Sequence, residues 1–137
     1  MGYTHYFDQQ KHATPEQWKS ICEAFNQMRT AALITEPLPI QLEDDHTGQP
    51  LVDDNFIRFN GIGRNGHETM VLNRTGRKFQ FCKTAQKPYD AAVTATLIIA
   101  HHFAPDVWDI ASDGDRDDWI PGLALVKRVL PDAVIPI

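Results

Sequence analysis

The 137-residue sequence has the length of one domain and an ordinary globular composition, 42% hydrophobic and 23% charged with a net charge of −5. These values argue against disorder, a coiled coil and a strongly basic nucleic-acid protein. The longest apolar run, around Ala95–Ala100, is far shorter than a membrane span, and residues 1–6 lack a signal-peptide pattern, so we expect one cytoplasmic domain over residues 1–137 and no membrane partner.

The first predicted elements are a strand and an amphipathic helix. Residues 2–7 are aromatic and β-branched, which favours a strand. Thr14, Pro15 and Gln17 form a helix start with a capping box, and the apolar spacing that follows predicts a helix over 15–33. Residues 36–54 are predicted to form a long connecting loop with a short extended piece at Ile40–Leu42.

A meander is predicted in the middle of the chain. Asn-Gly and Thr-Gly turns separate runs of strand-forming residues, which is typical of antiparallel hairpins. The three predicted strands cover 56–60, 67–73 and 78–84.

A helix, a strand and a second helix complete the predicted order. The helix over 88–103 is apolar almost all round, so it is expected to be buried. A strand over 107–111 and a helix over about 118–130 follow, and the apolar tail 131–137 is expected to dock on the body or on a second copy in a homo-oligomer. The order β-α-β-β-β-α-β-α predicts a single α+β domain with helices on one face of a mostly antiparallel sheet, ferredoxin-like or related.

Charge is unevenly distributed along the sequence. Residues 1–50 and 101–137 each carry a net charge of −4, whereas 51–100 carries +3. Within 58–87 there are seven basic residues and one acid, Glu68, a local net charge of +6. This segment favours an anionic partner, although basic residues that merely protect exposed strand edges give the same pattern.

Two histidine-containing strands are candidate ligand sites. Alternation places Tyr3 and His5 on one face of the first strand, where His5 is suited to ligand contact or acid–base chemistry. His67 and Thr69 share a face of a later strand, an arrangement weakly similar to one half of a two-histidine phosphoesterase. A histidine hydrogen-bonded at a strand edge is the alternative interpretation.

A second candidate lies where a strand leads into the 88–103 helix. Lys83, Thr84 and Lys87, with Tyr89 beside them, are positioned to hold an anion near the helix start, although the glycines of a Walker motif are missing. Cys82 in this setting is either a reactive thiol or a buried one, and two cysteines are too few for a disulfide framework.

An acidic loop provides the only candidate metal site. Asp113, Asp115 and Asp117 have the spacing that opens a calcium loop, but the later glycine and glutamate are absent, which excludes an EF-hand and leaves a looser Mg²⁺ or Ca²⁺ site. The alternative is an aspartate that caps the following helix. His101 and His102 point in different directions on a helix and do not form a metal pair.

Several polar segments together resemble a group of small uncharacterised proteins from bacteriophages and bacterial genomes. The resemblance spans nearly the whole chain and implies a phage or prophage accessory protein in a bacterial host cell, with no activity attached. The segments are Met1–Tyr6, Phe59–Gly61, Gly66–Thr69, Phe81–Thr84, Lys87–Asp90 and Ser112–Asp115.

These observations lead to a functional expectation with two alternatives. We expect a protein that binds a nucleotide, a phosphorylated small molecule or nucleic acid, and that inhibits a host process or defence. The alternatives are a metal-dependent phosphoesterase or nuclease that uses the aspartate loop, and an inhibitor that binds a host protein. The sequence leaves open whether the protein is an enzyme.

Overall fold

A computed structural model describes residues 2–41 and 48–137 and places them in an α+β fold. Part of the predicted 36–54 loop, including Leu42 and the acidic run, therefore lies outside the described residues, as does Met1. Seven strands and three α-helices occur in the described part: β1 Thr4–Gln9, α1 Pro15–Ala32, β2 Ile40–Gln41, β3 Leu51–Val52, β4 Phe56–Gly61, β5 Met70–Asn73, β6 Phe81–Lys83, α2 Asp90–Phe103, β7 Trp108–Ser112 and α3 Ile120–Lys127.

The first sheet has the antiparallel order β6-β1-β7. The strand β1 is central, with Tyr6 opposite both Phe81 of β6 and Ala111 of β7. An isolated β-bridge between Gln9 and Lys78 shows that the chain just before β6 also runs alongside β1. Because α2 joins β6 to β7 and β1 lies between these two strands, this sheet has the expected split β-α-β arrangement.

The second sheet is built around β4. It has β5 on one side, and β2 and β3 on the other, all antiparallel. The predicted meander is therefore only partly correct: β4 and β5 pair, but β6 forms its ladder with β1 in the other sheet. A backbone hydrogen bond from the Glu68 amide to the Lys83 carbonyl and side-chain bonds, such as the one from the Lys83 amide to the Glu68 carboxylate, link the two segments without a strand ladder. Strand propensity identifies both strands but not the partner of each.

Helix α1 begins at the predicted capping box. The Gln17 amide donates to the Thr14 hydroxyl at 3.1 Å and the Thr14 amide donates to the Gln17 side chain at 2.9 Å. These two bonds satisfy amides that an uncapped helix start leaves without partners. The buried face of the helix packs on the second sheet, where Phe25 and Phe59 have ring centroids 5.7 Å apart.

Helix α2 forms the centre of the core. Every residue from Ala92 to Ala100 is buried, which accounts for its apolar character all round. Gly122 of α3 is packed so closely on α2 that an added Cβ would lie 2.1 Å from the Thr94 hydroxyl. The helix α3 starts later than predicted because Asp117–Trp119 form a turn of 3₁₀-helix first.

The C-terminal tail packs on the body of the same chain. Ala133 and Ile135 are buried in the core cluster. The Arg116 guanidinium donates to the carbonyl oxygens of Ile135 and Ile137. Docking on the body, one of the two expectations for this segment, is therefore what the structure shows.

Across residues 2–41 and 48–137, none of the helices combines the length and apolar character that a bilayer crossing requires.

Candidate functional site

The outer face of the β6-β1-β7 sheet carries a row of three aromatic side chains, of which two are exposed and one is half-buried. Alternation turns His5 and Phe7 of β1 into the core, which leaves Tyr6 on the opposite face. The Tyr6 and Phe79 ring centroids are 6.0 Å apart, and those of Phe79 and Phe81 are 5.7 Å apart. Phe79 is 60% exposed and Phe81 46% exposed. We call Tyr6, Phe79 and Phe81 the aromatic row.

Charges divide this face into two halves. Lys83 is exposed on β6, opposite Thr4 and two residues beyond Phe81. Asp8 of the central strand β1 lies opposite Asp109 of β7. Asp113 continues this acidic side, and its carboxylate accepts bonds from the Thr4 amide at 3.0 Å and from the Tyr6 hydroxyl at 3.3 Å. The β6 side of the face is therefore basic and the β7 side acidic.

A groove of about 440 Å³ runs beside the aromatic row, between β5 and β6. Its walls combine the two exposed phenylalanines with groups that form hydrogen bonds, among them Thr69, Asn73 and Lys78. Thr69 is one of the predicted ligand residues, and Asn60 fixes it by donating to its hydroxyl at 3.2 Å. Asn60 also accepts from the His67 amide at 3.1 Å, so the predicted His67–Thr69 pair is held in a turn next to this groove.

The predicted residue His5 lies at one end of the sheet in a buried hydrogen-bond network. Its Nε2 is 2.7 Å from Asp90 Oδ1 and its Nδ1 is 2.8 Å from the Ser112 hydroxyl. The Thr84 hydroxyl donates to the same Asp90 oxygen at 2.5 Å. The Ser112 oxygen accepts from the Gly114 amide at 2.9 Å. The network joins β1, β6, α2 and β7, and neutral His5 with its proton on Nε2 satisfies every bond in it.

Aromatic side chains enclose the His5 ring. Tyr3 and Trp119 both meet it edge-on, at centroid distances of 5.1 and 5.2 Å. Burial, together with the carboxylates of Asp90 and Asp118, raises the pKa of the Tyr3 hydroxyl to about 12. Tyr3 and His5 are therefore brought together as predicted, but His5 has no exposed surface.

Ser112, His5 and Asp90 have the connectivity of a nucleophile, a base and an orienting acid. The surroundings do not suit acyl transfer, which needs free N–H groups to stabilise an oxyanion. The amides of Asp113, Gly114 and Asp115 donate to Thr4 O, Ser112 Oγ and Asp118 Oδ2, respectively. The geometry therefore supports a structural role for the network.

A strained turn sets the position of Thr84 and Asp90. Ala85 and Gln86 both have positive φ, at 52° and 54°, a conformation that costs about 1–3 kcal/mol per non-glycine residue. The Thr84 hydroxyl accepts a hydrogen bond from the Gln86 amide at 3.3 Å, and the Thr84 carbonyl accepts one from the Lys87 amide at 3.0 Å. The turn brings the end of β6 against the first residue of α2.

The start of α2 differs from the predicted anion cradle. The Asp90 amide donates to the Lys87 carbonyl, and the Ala92 and Val93 amides donate to the Tyr89 carbonyl. Asp90 also places its own carboxylate at this helix start, where the helix dipole favours negative charge. Lys83, Thr84 and Lys87 are close in the chain, but these amides do not face a common ligand.

Tyr89 and Cys82 are buried beneath this turn. The Tyr89 hydroxyl donates to the Glu68 carbonyl at 2.5 Å, and burial raises the pKa of this hydroxyl. Burial also raises the pKa of the Cys82 thiol to about 12. The thiol therefore stays protonated at neutral pH, which favours the buried interpretation of Cys82 over the reactive one.

Two aspartates of the predicted metal loop, Asp113 and Asp115, are engaged in hydrogen bonds within the protein, together with Asp118. Asp115 and Asp118 cap each other, through amide-to-carboxylate bonds of 2.9 and 3.2 Å. Asp113 bonds to β1 as described above. Among the described residues, no group of three or more His, Cys, Asp or Glu side chains is arranged to hold a metal ion. The Asp115 carboxylate accepts the Asp118 amide at the start of the 3₁₀ turn, whereas the N-cap residues of this turn and of α3 make no side-chain capping bond, so the predicted capping of the helix by an aspartate is not observed.

The aromatic row was not among the sequence-predicted site residues. A signal was present: Phe79 and Phe81 alternate with Gln80 and lie between Lys78 and Lys83, so both rings point to one face. Which face remains uncovered depends on where the helices pack. Comparison of the chain with family models, with curated proteins and with solved structures finds no match.

Proposed function

We propose that the protein binds an anionic ligand that carries a flat unsaturated ring, with a nucleotide as the simplest case, on the open face of the β6-β1-β7 sheet. The aromatic row carries this proposal. Large aromatic side chains normally bury most of their surface, and a contiguous exposed patch typically marks a binding surface. Three neighbouring rings on one sheet face offer a stacking surface for a base.

The charges on the face support an anion on the β6 side. Lys83 follows Phe81 on the same face, and Lys78 lines the adjoining groove with Phe79. Both lysines are exposed, so their ammonium groups are hydrated in the free protein and are accessible to a phosphate. Asp8 of β1 and Asp109 of β7 repel a phosphate from the rest of the face. A nucleotide whose base stacks on the rings and whose phosphate points towards β6 therefore places its negative charge near the lysines and away from the aspartates.

The proposal relocates the expected ligand site by a short distance. The site moves from the buried end of the sheet, around His5, to its open face, and keeps Lys83 and Thr69 of the predicted set. Three functional expectations from the sequence remain predictions. They are an accessory protein of a phage that inhibits a host process, a metal-dependent phosphoesterase, and an inhibitor that binds a host protein.

A thermal-shift panel of nucleoside monophosphates and triphosphates tests the proposal. A ligand that binds only the folded state raises Tm as its concentration exceeds Kd. We expect a rise for the wild-type protein and its loss in Phe79→Ala. Ile62→Ala is the matched control, because Ile62 is 46% exposed on the turn after β4 and does not belong to the row. No shift with any nucleotide, or an equal shift in Phe79→Ala, would contradict the proposal.

A further inference from the structure

We infer that the ligand of the aromatic row is an unpaired single strand of nucleic acid, an inference that rests on the proposed function and specifies its ligand. The first observation is that the face offers three rings in succession, Tyr6, Phe79 and Phe81, rather than one. One ring suffices for a mononucleotide. A succession of rings suits successive bases, as in open sheets that stack two or three bases of a single strand.

The spacing of the rings excludes a duplex as the matching ligand. Centroids in the row are 5.7 and 6.0 Å apart, whereas nucleotides of one strand in a duplex follow each other at about 3.4 Å. Bases that each contact their own ring are therefore drawn apart from one another. A duplex also hides the faces of its bases inside the stack, so an unpaired strand alone can present them.

The charges give the strand a path across the face. Arg77 precedes the two phenylalanines and Lys83 follows them, and alternation places both exposed side chains on the face of the rings, while exposed Lys78 lines the adjoining groove. A phosphate backbone that follows residues 77–83 meets these cations in turn. Asp8 of β1 and Asp109 of β7 repel phosphates and so keep the backbone along β6.

The groove beside the path supplies polar partners. Thr69 and Asn73 line it on the β5 side, opposite Phe79 and Phe81. Their hydroxyl and amide groups can bond a base edge or a sugar. Recognition that depends mainly on stacking is tolerant of sequence, because every base has an aromatic face.

Fluorescence anisotropy with labelled oligonucleotides tests the inference. The probes are a short fluorescein-labelled oligothymidylate, the oligouridylate of equal length, a blunt duplex of the same length, and unlabelled thymidine monophosphate as competitor. We expect the single strands to bind at least about tenfold more tightly than the duplex and the monophosphate, since each stacked base adds roughly this factor. Affinity is expected to fall with added salt, less steeply in Lys83→Gln.

The variants separate stacking from loss of fold. Phe79→Ala and Phe81→Ala are each expected to weaken single-strand binding about tenfold, with an unchanged circular dichroism spectrum, whereas Ile62→Ala retains wild-type affinity. Equal affinity for strand and duplex, or unchanged affinity in both phenylalanine variants, would overturn the inference.

The outcomes also separate this inference from the proposed function. If monophosphates bind through Phe79 and the oligonucleotide binds no more tightly, the single-strand inference fails and the proposed function stands. If neither binds, both fail. If the wild-type protein self-associates in light scattering and Phe79→Ala is monomeric, the row is a contact between copies of this chain and the inference is wrong.

Discussion

His5 has hydrogen-bond partners on both ring nitrogens and no exposed surface, so its polar groups are satisfied inside the protein. Such satisfaction is the condition for burying an imidazole at low cost. The sequence shows a histidine on a strand but not the carboxylate 85 residues away that receives its bond. The structural alternative for His5 thus becomes the better supported one.

Replacing Asp90 with alanine is expected to lower the free energy of unfolding by about 1–3 kcal/mol. The change leaves the buried Nε2 of His5 and the Thr84 hydroxyl without their acceptor. Urea unfolding measures the difference. Asp132→Ala is the control, since Asp132 is exposed in the tail and its loss is expected to change stability by less than about 0.5 kcal/mol. Equal effects of both changes would show that the network contributes nothing to stability.

Tyr3 is expected to make stability depend on alkaline pH. Its pKa is raised from 10.0 in the unfolded chain to about 12 in the fold, first by burial and then by nearby carboxylates. The stabilising contribution of the neutral hydroxyl is therefore complete below pH 10 and is lost as the pH rises through about 12. Urea unfolding across this range is expected to show a steeper loss for wild type than for Tyr3→Phe. Parallel curves would contradict the assignment.

At the scale of elements, local signals were sufficient for helices. The Thr14 capping box, the apolar face of α1 and the all-round apolar character of α2 predicted both helices to within about two residues at each end. Capping and 3.6-residue periodicity are properties of neighbouring residues in the chain, so they can be recognised without the fold.

Thr14→Ala is expected to destabilise the protein by about 1 kcal/mol, because it removes the acceptor for the Gln17 amide. Thr30→Ala in the last turns of the same helix provides the control. The Thr30 hydroxyl only bonds back to the Asn26 carbonyl, and alanine is the better helix former, so this variant is expected to be as stable as wild type or slightly more stable. Thermal unfolding of both variants checks the difference; a larger loss in Thr30→Ala would contradict it.

Strand pairing was predicted less completely than the helices. The segment 78–84 was expected to pair with the preceding strand, yet its ladder is with β1, more than seventy residues earlier in the chain. Consequently the exposed side of Phe79 and Phe81 could not be assigned. Period-two alternation separates two faces of a strand but does not show which face the helices cover.

At the scale of the whole molecule, the tail 131–137 closes the core beside α3. Ile135 is 8% exposed and packs in the core cluster, whereas its neighbour Val134 is 63% exposed. The alternation anchors the segment by one side and leaves the other in solvent. Arg116 adds hydrogen bonds to tail carbonyls from the acidic loop.

Ile135→Ala is expected to lower the free energy of unfolding by about 2 kcal/mol, because it removes buried side-chain volume near the protein surface. Val134→Ala is the matched control, with an expected change of less than about 0.5 kcal/mol. Urea unfolding measures the difference, and the dependence of the unfolding free energy on urea concentration is expected to be the same for the wild type and both variants. Equal loss in both variants would show that the tail is not anchored through Ile135.

Sequence patterns were enough to predict the α+β class, the two main helices and most strand segments, though not β3, because capping, turn chemistry and periodicity act between near neighbours. The tertiary structure alone decided which strands pair, which face of β6 stays open and what His5 bonds to. Contacts such as His5 with Ser112 join residues 107 positions apart, and no local preference encodes them. The aromatic row stays open because alternation places it on the face of the sheet opposite the buried side chains of His5 and Phe7.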